Sequence, residues 1–209
     1  MTAGGTREPI DPVRYIGNRS SGRQGAAVAS AARDRGADVT LILANSQLSQ
    51  SEEKSLEGIN VIRVETALEM HSHMKIEFPK SEILVMSAAV ADARPSQFSS
   101  GKIKKGDLQN LELTQNPDLL KSIADIRKGQ IIIAFAAETS LDLEVAKAKL
   151  LAKGANILYL NDVSEGAIFG STKTQGIIIM SNGAQIEVPN TSKDSLADLL
   201  LDQALIQLG

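Results

Sequence analysis

The sequence contains no cysteine and no tryptophan. The first absence excludes disulfides, thiolate nucleophiles and cysteine-ligated zinc. With aromatic residues at only 3%, the core has to be built from Leu, Ile, Val and Ala. No run approaches the roughly 18 apolar residues that span a bilayer. No basic-then-apolar leader opens the chain either, and cytoplasm is the expected compartment. Positive charge is not in excess: 22 Lys and Arg stand against 25 Asp and Glu, and the net charge of −3 argues against a general nucleic-acid binder. The two histidines, His71 and His73, lie two apart in a polar helical stretch and read as surface residues rather than a metal pair. Missing motifs remove further chemistries. There is no Gly-x-x-x-x-Gly-Lys-Ser/Thr phosphate loop and no serine at a nucleophile elbow. Neither Tyr15 nor Tyr159 has the lysine four residues on that a short-chain dehydrogenase would use.

What remains is an ordinary globular composition, 43% hydrophobic and 22% charged over 209 residues, enough for one domain with a full core. Its opening carries the strongest local signal. Gly4 and Gly5 provide a turn where backbone can approach a ligand with no Cβ in the way. Ser20-Ser21-Gly22-Arg23-Gln24-Gly25 then opens a helix, with hydroxyls placed for an N-cap. A helix start presents unpaired N–H groups and the positive end of a dipole, which suits phosphate or carboxylate. Together the two pieces read as a dinucleotide-type glycine fingerprint split by a polar loop, with Arg7, Arg14, Asn18 and Arg19 expected near the helix mouth. In a doubly wound fold a strand precedes such a turn, yet only Met1-Thr2-Ala3 stand before it. The natural protein is therefore expected to continue upstream, with this chain one half of a longer one.

Strand and helix patterns alternate from there on. Helices are expected over 22–35 and 67–75, strands over 38–43, 59–64 and 82–86, and a loop over 45–57. After residue 86 the pattern breaks into a small-residue loop and a flexible polar stretch over 96–105, with a short strand at 111–114. A helix is expected to start at Asn116-Pro117, with Asn capping and Pro at its first position. A strand at 130–135 and a helix over 141–153 follow, the latter with Leu141, Val145, Ala148 and Ala152 along its apolar side. A strand at 157–160, a hairpin of 176–180 with 184–188, and a terminal helix from Ser192 complete the chain. This is the pattern of an α/β fold: a Rossmann-like, doubly wound, mainly parallel sheet with helices on both faces and a small C-terminal β-hairpin.

In such sheets ligands bind beyond the carboxyl ends of the strands. Four polar segments fall there: the opening loop, 87–92, 136–139 and Asn161-Asp162. The tiny residues Ala88-Ala89-Val90-Ala91 are expected to leave backbone groups free for a flat ligand edge. Asp92 would accept from a sugar or base donor, or else pair with Arg94. Lys102, Lys104 and Lys105, on a glycine-flanked loop, read as solvated surface or as a mobile cationic flap for a polyphosphate. Lys149 and Lys153 lie four apart with no carboxylate at i−3 or i−4, a repulsion that an anion held between them would relieve.

These residues resemble a known family, the bacterial phosphopantothenate–cysteine ligases, usually the C-terminal half of a bifunctional coenzyme A biosynthesis protein. The resemblance covers nearly the whole chain. It rests on Thr2-Ala-Gly-Gly-Thr-Arg-Glu-Pro-Ile-Asp-Pro-Val-Arg14, Asn18-Arg-Ser-Ser-Gly22, Ala88-Ala-Val-Ala-Asp-Ala-Arg-Pro95, Lys102-Ile-Lys-Lys105, Asn116-Pro-Asp118, Phe135-Ala-Ala-Glu-Thr139 and Asn161-Asp162. It implies a single ligase domain over 1–209 that activates 4′-phosphopantothenate with CTP and Mg²⁺ as an acyl-cytidylate, which the amine of L-cysteine then displaces. By the same resemblance, Asn18 holds the carboxylate or acyl intermediate, and Gly5, Ser20, Gly22 and Gly25 cradle the triphosphate. Ser87, Ala88, Ala89, Asp92, Pro117, Asp118, Phe135, Lys149 and Lys153 are implied nucleotide contacts. Lys102 is implied to act in nucleotide binding and in the attack of cysteine. A homodimer whose flap crosses to the neighbouring site is implied, with a flavin-dependent decarboxylase domain upstream. The residues alone leave two alternatives open, a nicotinamide-dependent oxidoreductase and a non-catalytic nucleotide-binding domain.

Overall fold

The computed structural model describes residues 1–108, 110–138, 142–162 and 171–209. The chain opens with β1 (Thr2–Ala3), followed by a small antiparallel hairpin, β2 (Arg7–Pro9) with β3 (Tyr15–Gly17). Then come α1 (Arg23–Asp34), β4 (Thr40–Leu43), α2 (Gln50–Lys54), β5 (Asn60–Arg63) and α3 (Ala67–Glu77). After β6 (Ile83–Met86), a second small ribbon pairs β7 (Ala93–Pro95) with β8 (Leu113–Gln115). The chain closes with β9 (Ile131–Glu138), α4 (Leu143–Ala152), β10 (Ile157–Asp162), β11 (Lys173–Met180), β12 (Gln185–Ser192) and α5 (Lys193–Leu208).

The main sheet runs β12-β11-β10-β9-β6-β1-β4-β5. From β5 to β10 every pairing is parallel, and only β11 runs the other way, antiparallel to both β10 and β12. This is the expected doubly wound sheet with its C-terminal hairpin added at one edge. The two-residue β1 sits at the centre, between β4 and β6, where the strand order reverses. Alternation along the strands divides the core between the two faces. Leu41, Leu43, Ile133, Ile157 and Ile178 pack under α1 and α5, against Val28, Ala29, Leu196 and Leu200. Ile42, Ile132, Leu158, Leu160 and Ile179 face the other way, against Met70 and Met74 of α3 and Leu150 of α4. Among the described residues no helix is long and apolar enough to cross a membrane.

Several expectations are corrected. The 45–57 segment is not all loop. Five of its residues form α2, held by a capping box between Ser49 and Glu52, a helix too short and too polar to show periodicity. Asn116 does not cap a helix. Its side chain donates to the Ala91 carbonyl (2.8 Å) and accepts from Arg94 (3.0 Å), and only a 3₁₀ turn over Lys121–Ile126 follows. On α4 the buried residues are Ala146 and Leu150, whereas Val145 is 46% exposed. The face of α4 that packs on the sheet is thus shifted by one residue from the expected apolar side, and Leu141 lies outside the described residues. The terminal hairpin is longer than expected, since polar residues at its open ends still pair. His71 and His73 are half-buried rather than on open surface. Burial first, and then the neighbouring Lys75, lowers the pKa of His71.

Candidate active-site cleft

Gly4 adopts φ +82°, and a Cβ there would stand 2.3 Å from the Ala44 carbonyl oxygen. The turn it makes delivers Gly5 and Thr6 to the loop after β6, and the two segments close on each other through main-chain bonds. Ala89 N–H donates to the Gly4 carbonyl (2.8 Å), and Thr6 N–H to that of Ala89 (3.2 Å). The buried Thr6 hydroxyl accepts from Ala91 N–H (2.9 Å), and Asn18 Nδ2 donates to the Val90 carbonyl (2.9 Å). The expectation that small residues leave this backbone free is therefore corrected. Without side chains in the way, 88–91 comes close enough to be paired by the opening turn, and Asn18 is fixed beside it. Asp92 does not pair with Arg94, which bonds Gln115 O and Asn116 Oδ1 instead, and the Asp92 side chain is exposed.

The start of α1 differs from that of every other described α-helix. Side chains of Ser49, Thr66, Asp142 and Ser192 cap α2, α3, α4 and α5. At α1 the N-cap is Gly22, in the left-handed conformation at φ +78°, and no side chain caps the first amides. Ser20 and Ser21 were expected to supply that cap, but their hydroxyls reach N–H groups only at 3.4 and 3.5 Å. Behind this open end the helix lies directly on the central strand. A Cβ on Gly25 would come within 2.4 Å of the Ala3 Cβ and 2.5 Å of the Ser87 Oγ.

The helix mouth opens on a cleft of about 150 Å³ beyond the carboxyl ends of β6, β9 and β10. Of the expected residues it gathers Ser20, Gly22, Gly25, Ser87, Ala89 and Phe135, with Arg19 from the polar loop. Arg23, Gln24, Tyr159, Asn161, Thr174 and Lys193 join them. Of the arginines expected at the helix mouth, Arg7 lies over the Tyr15 ring (4.6 Å) and Arg14 is bound to Asp11. Gly5, Asn18, Ala88, Asp92, Lys102, Pro117, Asp118, Lys149 and Lys153 do not line this cleft. Gly5, Asn18, Ala88 and Asp92 belong to the paired loops just described. Asp118 accepts from Lys121 N–H (3.1 Å), directly after Pro117. Lys149 is ion-paired with Glu138 of β9, so the repulsion from Lys153 is relieved by a carboxylate from the neighbouring strand. Among the described residues no three His, Asp or Glu stand together as a metal site.

The lysine segment is anchored rather than loose. Buried Asp11 accepts from Val13 N–H (2.9 Å), Arg14 N–H (2.8 Å), the Arg14 guanidinium and Ile103 N–H (3.2 Å). Arg14 in turn donates to the Ile103 carbonyl at 2.7 Å. Burial alone would raise the Asp11 carboxyl, but these donors outweigh it and hold it well below the usual carboxylate range. Lys102 is thus held by its neighbour's backbone while its own side chain stays exposed.

Sequence reasoning missed the floor of the cleft. Tyr159 is 1% exposed, packs edge-on against Phe135 (centroids 5.7 Å apart) and bonds the Thr174 hydroxyl at 2.8 Å. Thr174 donates to Asn161 Oδ1 at 3.0 Å. The alternation of 157–160 running into Asn161 was the available signal, but Thr174 lay before the strand expected from 176. Burial pushes the Tyr159 phenol up to about 12, the Thr174 bond opposes this, and Asp162 adds to it. The folded state then keeps its phenol proton where an unfolded tyrosine, with a pKa of about 10, loses it. Its stability contribution is complete below about pH 10 and disappears between about 10 and 12, ~2–3 kcal/mol for a two-unit shift. Tyr159→Phe is expected to abolish that alkaline component, so its urea midpoint should fall less between pH 9 and 11.5 than that of the unaltered chain. Equal falls would show that Tyr159 does not carry it.

The domain is thus a doubly wound α/β fold in which α1, alone among the described α-helices, starts without a side-chain cap and opens on a cleft at the strand ends, where folds of this class bind their ligands. The chain belongs to the family of DNA/pantothenate metabolism flavoprotein C-terminal domains, which matches residues 1–207. It is 42% identical over 214 residues to the coenzyme A biosynthesis bifunctional protein CoaBC of Mycobacterium tuberculosis, covering 97% of this chain and 50% of that protein. Its identity to the Escherichia coli protein of the same name is 36% over 209 residues, again 97% of this chain and 50% of the other. The chain thus spans about half the length of the curated relatives it matches. A crystal structure of the C-terminal domain of CoaBC superposes with a TM-score of 0.82 at 31% identity, covering 99% of this chain and 93% of that one.

Proposed function

We propose that this domain is the ligase part of a coenzyme A biosynthesis protein, joining 4′-phosphopantothenate to L-cysteine at the expense of CTP. The observation that carries the reading is the bare start of α1, the one described α-helix without a side-chain cap, facing a cleft lined by Arg19 and Lys193. A helix start without a side-chain cap and two cations lining one cleft suit a polyphosphate. Family membership and the relatives' name support the pathway.

In the proposed reaction a carboxylate oxygen of phosphopantothenate attacks the α-phosphorus of CTP. The bond to pyrophosphate breaks and an acyl-cytidylate forms. The cysteine amine then attacks the acyl carbon, loses a proton, and CMP departs. The protein's part is positioning and charge stabilisation. Gly5, Ser20, Gly22 and Gly25 shape the triphosphate cradle. Asn18, held at the loop junction, takes the carboxylate. Ser87, Ala88, Ala89, Asp92, Pro117, Asp118 and Phe135 contact the nucleotide, with Lys149 and Lys153 beside them and Lys102 meeting the developing charge. The Asn161 amide adds a donor on the cleft floor. Mg²⁺ would arrive on the triphosphate with its own waters, which fits a fold without a carboxylate cage among its described residues. A homodimer with the lysine segment crossing to the second site, a flavin-dependent decarboxylase in the remaining half of a longer chain, and a cytoplasmic setting complete the proposal.

The test is pyrophosphate release from CTP and Mg²⁺. Release is expected only when 4′-phosphopantothenate is added, with amide product only when cysteine is added too. CTP binding without release would leave a non-catalytic nucleotide domain, and hydride transfer from NADPH would move the reading to an oxidoreductase.

A further inference from the structure

Asn161 is the point at which the buried polar chain of the floor meets the cleft, and a primary amide can face a ligand with either of two opposite chemistries. Turned one way it offers two N–H donors, turned the other a carbonyl acceptor. Ionised phosphate oxygens are acceptors only, so one orientation binds a phosphate group and the other repels it. We propose that Tyr159 and Thr174 are positioning residues that fix this orientation, acting on the nucleotide only through Asn161. The inference rests on the reading of the cleft as a nucleotide-phosphate site.

The direction of the chain follows from counting protons. Tyr159 is 1% and Thr174 4% exposed, so neither hydroxyl can turn to water. Among the described residues the phenol has one partner, the Thr174 hydroxyl at 2.8 Å. The phenol proton must go there, because a buried O–H without an acceptor is costly. Thr174, having accepted, sends its own proton onward to Asn161 Oδ1 at 3.0 Å. With the oxygen taken from behind, Nδ2 is left facing the cleft that Asn161 lines, and among the described residues it has no protein partner. The opposite orientation would have Nδ2 donate to Thr174 and Thr174 donate to Tyr159, which strands the phenol proton.

The backbone is shaped to bring these three groups together. A Cβ on Gly176 would lie 2.0 Å from the Leu160 carbonyl oxygen and 3.1 Å from Tyr159 Cε2, so only glycine lets β11 lie so close to β10 here. The pairing of β11 with β12 shifts register between Thr174 and Gly176, and such irregularities re-aim side chains.

The experiment is calorimetric titration of this chain with CTP and, separately, with inorganic pyrophosphate. Thr174→Val keeps the side-chain shape and removes the relay, and is expected to weaken both ligands about tenfold. Tyr159→Phe removes only the first proton of the chain and is expected to cost about threefold. Thr174→Ser restores the hydroxyl and should bring affinity back to within about twofold of the unaltered chain. In an Asn161→Ala background Thr174→Val should cost nothing further, a result that a merely structural role would not give. If Thr174→Val and Tyr159→Phe leave both affinities unchanged, or if Thr174→Val costs as much without the Asn161 amide, the positioning role is wrong. Loss confined to pyrophosphate, in a chain that ignores CTP, would uphold the relay and overturn the choice of nucleotide. Failure of the unaltered chain to bind either ligand would overturn both.

Discussion

Gly25→Ala is expected to abolish measurable CTP binding and to lower the melting temperature by several degrees. The added Cβ would lie 2.4 Å from Ala3 Cβ, 2.5 Å from Ser87 Oγ and 3.0 Å from the Thr2 carbonyl oxygen. Two of these atoms cannot turn aside, because Ala3 and the backbone of Thr2 are fully buried in the central strand. The third, Ser87 Oγ, is held by its own bond to Thr2 O at 2.8 Å. The helix must therefore lift from β1, and overpacking of this kind costs about 1–3 kcal/mol. Lifting the first turn moves the start of α1 away from the cleft it faces, which is why binding should suffer more than stability. Gly36→Ala makes the matched control. That glycine has a positive φ, +87°, which Gly25 does not, and no atom lies within 4 Å of where its Cβ would be. It should cost about 1 kcal/mol of stability from the strained backbone and leave CTP affinity unchanged. Titration calorimetry and thermal unfolding of the two variants separate the effects. A Gly25→Ala chain that binds CTP with normal affinity would contradict the placement of the site at this helix.

The sheet was legible because its information is local and redundant. The β-branched runs at 38–43, 82–86, 130–135 and 157–160 each announce a buried strand, and the glycines at 4, 5, 22 and 25 mark where the backbone must turn or be approached. The convergence of loops at the strand ends then followed from topology. What the sequence hid was set by partners distant along the chain. Lys149 looks uncompensated on its helix because its carboxylate, Glu138, sits on the adjacent strand. Ala88 to Ala91 look free because the groups that pair them belong to residues 2, 4, 6, 18 and 116. The helical pattern of 141–153 is nearly as apolar on one side as the next, so burial of Ala146 and Leu150 was decided by the sheet beneath. The hydroxyls of Ser20 and Ser21 resemble ordinary caps, and only the left-handed Gly22 shows that the helix end is left bare.

Lys102→Gln is expected to reduce amide formation by about 10²–10³-fold, the usual cost of removing one positioned charge from a developing anion. What holds the lysine decides its role. Its side chain is exposed, so glutamine should be tolerated without loss of folding. Its backbone, however, is fixed one residue on, where Ile103 N–H meets Asp11 Oδ2 and Ile103 O meets Arg14. An exposed cation on a tethered segment keeps its charge available without meeting the cleft until a ligand or a second subunit brings them together. The Asp11 carboxyl is held far below its ordinary range, so this anchor is intact at any pH where the reaction is run. Its stabilising contribution is full above the ordinary unfolded carboxyl value and is lost progressively as acid takes the pH from there down to that lowered pKa. Loss of activity in Lys102→Gln should therefore show the same pH profile as the unaltered chain, reduced uniformly, with an unchanged melting temperature. Lys104→Gln and Lys105→Gln, on the same exposed loop, should each cost less than about tenfold, since screened surface charge is worth little at a distance. Product formation followed with saturating CTP, 4′-phosphopantothenate and cysteine measures all three. Normal turnover by Lys102→Gln, or equal losses across the three lysines, would mean that the segment acts as a diffuse cationic surface and not through one positioned charge.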